Sequence, residues 1–208
     1  MSLSELMSVP DRNLRRSRRA AVVVAVAATC ATALVPRHAS AQNAQPYAAQ
    51  LSAFFTTIRA GNSNVPGTGV EVQQRLNRLY ATEDFGAVSL GMGGQYTVHT
   101  KVRDRLRIVG VFIEPRWVPA TGSSTVFPYV SARLAIQHIT GEFQFAEGGK
   151  SLGSAFGAGG GIAVKLTRRI NLDAGAQLVR QQFGDIGALP AVARTTYTAK
   201  VGVSIGYP

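Results

Sequence analysis

The chain has 208 residues, a single cysteine and a formal net charge of +11. That length suits one domain once a leader is set aside, and the basic residues are scattered singly, which excludes a nucleic-acid footprint. The one cysteine, Cys30, falls in that leader, so disulfides, thiolate chemistry and cysteine-built zinc sites are excluded from the rest.

Arg12, Arg15, Arg16, Arg18 and Arg19 form a basic segment ahead of an apolar run from Ala20 to Val35. Ala39-Ser40-Ala41 then supplies a small-x-small pattern before Gln42. Together they predict a secretory signal peptide over residues 1–41, cleaved after Ala41, with Ala39 and Ala41 as its recognition residues. The run of 16 residues, ended by Pro36, is short of the roughly 20 that a spanning helix needs. Ser17-Arg18-Arg19 is half of a twin-arginine signal, and Thr29 before Cys30 lacks the small residue that lipoprotein processing uses. Without residues 1–41 the balance is 16 basic to 9 acidic residues, a net +7.

Residues 42–208 are expected to form one domain. They show no convincing amphipathic helix, and instead short alternating segments recur between turn residues, which predicts an all-β barrel. Eight strands are read, at roughly 46–58, 66–80, 85–99, 105–118, 126–140, 153–167, 169–183 and 195–207. The first alternates weakly. The second sets Glu71, Gln73, Arg75 and Asn77 opposite Val70, Val72 and Leu76, and the third sets Val88, Leu90, Met92, Tyr96 and Val98 opposite Ser89, Gly91, Gly93, Gln95 and Thr97. The fourth carries Glu114 and Arg116, is apolar on both faces, and is interrupted by Pro115. In the fifth, Val130, Ala132, Leu134 and Ile136 oppose Tyr129, Ser131, Arg133 and Gln137.

The sixth sets Phe156, Ala158, Ile162, Val164 and Leu166 against Gly157, Gly159, Gly161, Lys165 and Thr167. A tight link, Thr167-Arg168-Arg169, leads to the seventh, where Ile170, Leu172, Ala174, Ala176 and Leu178 oppose Asn171, Asp173, Gly175 and Gln177. The eighth alternates almost without fault: Tyr197, Ala199, Val201, Val203, Ile205 and Tyr207 against Thr198, Lys200, Gly202, Ser204 and Gly206.

Alternation alone does not separate a soluble lipocalin, apolar inside, from an outer-membrane barrel, apolar outside. The polar face decides. It mixes glycines and other small residues with long charged ones, and glycines make room for such chains only inside a narrow barrel. Glu71, Glu114 and Asp173 are then expected to pair inside with Arg75, Arg116, Arg133, Lys165 and Lys200. Exchanging pairs would gate a narrow pore, whereas satisfied pairs would fix register; the cost of unpaired buried charge favours the second. Phe85, Trp117, Phe127, Tyr129, Phe183, Tyr197 and Tyr207, near strand ends, are expected in interfacial girdles. With both termini periplasmic, the long loops 141–152 and 184–194 fall outside the cell as surfaces for an external ligand or a host or cell surface. The short stretch from His99 to Arg105 fits poorly as an external loop and admits a miscounted strand in the first half.

The glycine clusters Gly91-x-Gly93-Gly94 and Gly159-Gly160-Gly161 open no helix and are strand glycines, not phosphate loops. No metal-ligand spacing is found and no cofactor is expected. Outer-membrane lipids and the barrel assembly machinery are the expected partners.

The segments PYVSARLA from Pro128, GAGGGIAVKLTRRINLDAGAQL, and the final YTAKVGVSIGY resemble the outer-membrane β-barrel family that includes the OmpA-type transmembrane domain and its porin-superfamily relatives. The resemblance covers about half of the mature chain well. It implies an eight-stranded antiparallel up-and-down barrel in the outer membrane of a Gram-negative cell envelope. It also implies that Tyr197, Val201, Val203, Ile205 and Tyr207 form the assembly strand, although Pro208 follows the terminal aromatic. The expected role is structural, adhesive or interactive, and not catalytic. Two alternatives stand beside it: a soluble periplasmic lipocalin-like binder, and a lipid A-modifying enzyme using His138, Thr140 and Glu142, an arrangement that loosely resembles lipid A deacylases with Thr in place of Ser.

Overall fold

A sheet that crosses a bilayer leaves no backbone group unpaired only if it closes on itself. This one closes. The structure, a computed structural model, describes residues 48–60, 66–101, 104–144, 148–186 and 190–207. Its strands are β1 (Ala49–Ala60), β2 (Gly67–Thr82), β3 (Gly86–Lys101), β4 (Asp104–Val118), β5 (Val126–Glu142), β6 (Gly149–Lys165), β7 (Ile170–Phe183) and β8 (Val192–Tyr207). Each pairs antiparallel with its neighbours in chain order, and β8 closes on β1 from Ala49↔Tyr207 to Ala60↔Thr196. Ala39 and Ala41 lie outside the described residues.

All eight predicted strands exist, and the differences lie at their ends. The His99–Arg105 stretch hides no further strand: β3 and β4 run on until Lys101 pairs with Asp104, so the link is simply tight. Half of the expected 141–152 loop is strand, since Thr140↔Lys150 and His138↔Leu152 are paired, and the β5–β6 connection shrinks to 143–148. Gly149, Lys150 and Ser151 gave no apolar signal because backbone closure, not side-chain burial, holds them. Likewise β8 begins at Val192 and leaves 184–191 between β7 and β8. Connections 83–85, 119–125 and 166–169 define the turn end of the barrel; the others define the loop end. Length separates the two ends less cleanly than expected, because 119–125 outruns 143–148.

Two local irregularities are absorbed. Pro115 has no amide to give, and the β4–β5 ladder skips from Ile113↔Leu134 to Arg116↔Ser131 without changing register. In β2 a bulge between Leu76 and Tyr80 shifts the pairing with β3.

The faces have opposite polarity to those of a soluble barrel. Outward side chains are large, apolar and exposed, with Val111 at 64% and Leu152 at 66%. Inward ones include buried Gln50, Glu71, Gln73, Arg75, Glu114, Arg116, Arg133, Asp173 and Lys200. In water that exterior would be an apolar patch far beyond what a monomer exposes, so the lipocalin-like reading is corrected. Inward glycines make room for long neighbours: a Cβ on Gly91 would stand 2.7 Å from Arg75 Nη2, and one on Gly175 would strike the Tyr129 hydroxyl.

Candidate functional site

Strand β4 projects Glu114 and Arg116 inward two residues apart, as its period of two requires. Strand β2 adds Glu71 and Arg75, β5 adds Tyr129 and Arg133, β7 adds Asp173 and Gln177, and β8 adds Lys200. Glu114, with no exposed surface, is the hub. Its Oε1 accepts from Arg75 Nη2 at 2.9 Å and Arg116 Nη2 at 3.4 Å. Its Oε2 accepts from Arg133 Nη2 and Lys200 Nζ at 2.8 Å and from Gln177 Nε2 at 2.9 Å.

Two further pairs flank the hub. Arg133 grips Glu71 with both Nη groups, each at 2.7 Å, the fork geometry in which a guanidinium binds a carboxylate most strongly. Arg116 Nη1 donates to Asp173 Oδ2 at 2.6 Å, and the Tyr129 hydroxyl donates to Oδ1 of the same carboxylate at 2.7 Å. Aromatic faces carry part of the remaining field: Arg116 lies 3.6 Å from the Tyr129 ring centre and Arg133 4.0 Å from that of Phe112. Isolated charges would not survive such burial; here each carboxylate is met by at least one cation.

Seven of the eight residues expected in this network, all but Lys165, therefore meet in one layer. Lys165 points inward at the turn end of β6, opposite Asn171, half-buried and in no ion pair among the described residues. Three expected girdle aromatics are corrected as well: Phe127, Tyr129 and Phe183 are buried inside. Strand parity puts Phe127 and Tyr129 on the face of Arg133, and parity overrides closeness to a strand end. Phe85, Trp117, Tyr197 and Tyr207 do face outward, and Trp117 Nε1 donates to the Phe85 carbonyl at 2.9 Å. Tyr197, Val201, Val203, Ile205 and Tyr207 form the outward edge of β8.

Toward the loop end two apolar clusters fill part of the bore, and Gln137, Gln181 and Arg194 are hydrogen-bonded to one another between them. Phe112, Ala135, Ala155 and Val179 form one layer. Ile108, Ile139, Phe183 and Ile186 form another at the mouth, with Leu106 and Phe143 packed against it. On the turn side of the ion layer Arg75, Asn77, Ser89, Arg116 and Tyr129 help line a cavity of about 20 Å³, room for one water-sized guest.

His138, Thr140 and Glu142 share the outward face of β5 near the loop end. No hydrogen bond joins them, and Glu142 is held instead by Arg107 Nη2 at 3.0 and 3.2 Å. A base and nucleophile need hydrogen-bond reach, so the triad expected for a lipid A-modifying enzyme is not assembled. Among the described residues no group of three His, Cys, Asp or Glu side chains could hold a metal.

No family model matches the chain, and no curated protein is similar to it in sequence. The crystal structure of Neisserial surface protein A is similar to it at 16% identity and a TM-score of 0.53, over 76% of this chain and 96% of that one. The fold is that of the small outer-membrane barrels. The N-terminal β-barrel domain of Pseudomonas aeruginosa OprF matches at 19% identity and a TM-score of 0.47, over 76% and 97% of the two chains. Identities so low speak to the fold alone.

Sequence reasoning missed Tyr129 as a network member and the apolar plug. Both had a signal: Tyr129 shares parity with Arg133, and the two-faced apolarity of strand four, read as weakness, is Ile108 and Phe112 lining the bore.

Proposed function

We propose that this chain is a small integral outer-membrane barrel with a structural, adhesive or interactive role, and neither a channel nor an enzyme. The observation that carries this reading is the inside-out polarity: a lipid-compatible exterior around a bore filled by paired charges and apolar layers. An eight-stranded barrel has an interior only wide enough for side chains, and here they fill it. The loop end faces outward from the cell, so residues 143–148 and 184–191 are the surfaces offered to an external ligand or host surface. Strand β8 serves as the element read by the assembly machinery.

The test combines fractionation, protease shaving of intact cells and planar-bilayer recording. The protein should be found in the outer membrane, be cut only in loop-end connections such as 61–66, 143–148 and 184–191, and give no unitary conductance steps. Recovery in the soluble periplasmic fraction would contradict the reading.

A further inference from the structure

The two rims of the lipid-facing surface differ in chemistry. At the turn end Tyr80, Phe85, Trp117 and Tyr207 face outward. At the loop end three adjacent strands present cations instead. Arg107 of β4 pairs in register with Thr140 of β5, which pairs in register with Lys150 of β6. Arg105, one step nearer the loops, lies opposite Glu142. All five are on the outer face, and Glu142 is the only acid among them.

Arg107 is partly exposed and reaches Glu142 through Nη2 alone, which leaves Nη1 to meet a further acceptor. A guanidinium so placed has donors left for a planar or tetrahedral anion. Below these residues the surface is largely apolar: Val109, Val111, Ile136, Leu152 and Phe156 are all exposed, with His138 and Ser154 set among them. Adjacent strands lie about 4.8 Å apart, so the Arg107 and Lys150 backbones stand roughly 10 Å from one another. That spacing lets the two cations meet separate phosphates of one head group, with acyl chains spread over β4, β5 and β6.

Resting on the outer-membrane reading, we propose that Arg105, Arg107, Thr140 and Lys150 form a binding site for a phosphorylated glycolipid of the outer leaflet. The cations take the phosphates, Thr140 offers a hydroxyl between them to the sugar, and the apolar strip takes the chains. The site occupies the place of the alternative His138, Thr140 and Glu142 triad, and it binds lipid without cleaving it.

Native mass spectrometry of the detergent-purified protein with added bisphosphorylated lipid A tests this, with chemically dephosphorylated lipid A as the comparison. The wild type should retain the phosphorylated form preferentially. Arg105→Gln with Lys150→Gln should weaken retention roughly 10- to 30-fold, at about a kilocalorie per mole for each cation. Unchanged heat-modifiable gel mobility will show that the double variant is folded; if it is not, Lys150→Gln alone should still lower retention severalfold. Equal retention of the two lipids by the wild type, or undiminished retention by a folded variant, overturns the site. Fractionation of the wild type reports separately on the outer-membrane reading, so an outer-membrane barrel without phosphate discrimination defeats only this inference.

Discussion

The ion layer and the mouth of the bore are built on different principles. Around Glu114 the packing is directional: charged side chains from β2, β4, β5, β7 and β8 meet at hydrogen-bonding distance. At the loop-end mouth Ile108, Ile139, Phe183 and Ile186 merely exclude water. The difference teaches what each can tolerate. A directional layer fails when one member is lost, because its partners stay buried and unpaired. An apolar plug fails by degrees, in proportion to the volume removed.

That contrast can be broken by measurement, and the largest effect belongs to the hub. Glu114→Gln keeps the shape but leaves Arg75, Arg116, Arg133 and Lys200 short of a shared acceptor, and should cost about 3–5 kcal/mol. Urea unfolding in lipid vesicles, followed by heat-modifiable mobility, measures it; a loss below about 1 kcal/mol would mean that the layer is not directional. Phe183→Ala, in the plug, should cost about 2–3 kcal/mol in the same assay, below the usual buried-Phe value because the mouth lies near water.

Tyr129→Phe sharpens the comparison further. It removes only the hydroxyl donated to Asp173, whose other oxygen stays paired with Arg116, and about 1–2 kcal/mol is expected. The smallest effect should be that of Lys165→Gln, within about 0.5 kcal/mol, since that side chain is outside the network. If Lys165→Gln rivals Glu114→Gln, the boundary drawn around the layer is wrong.

The strands and the interior acids and bases were legible because period-two alternation assigns a face to every residue at once. Asp173 and Arg116 are remote in sequence, yet each sits on the polar face of its own strand, so their meeting was open to prediction. Which acid meets which base depends on stagger between strands, and alternation carries no stagger. That is why Lys165, correct in face, was wrong in height. Strand ends were obscured where Gly149 to Ser151 are held by backbone pairing alone. The pairing of Arg107 with Glu142 needed the β4–β5 register, which became visible only once the hairpin was closed.

The central claim is that apolar residues face lipid and charged ones face a filled bore. Residues 42–208 contain no cysteine, so in protein expressed as that segment single cysteines report without background. Placed at Leu134, Phe156 and Val203, a fluorophore should be quenched by brominated lipid tails and those thiols should resist a water-soluble maleimide. At Ser131 and Ser204, inside the filled bore, the thiol should resist both the fluorophore and the maleimide until the barrel is unfolded. Ready labelling at the first three positions by the water-soluble reagent, with no lipid quenching, would contradict the account.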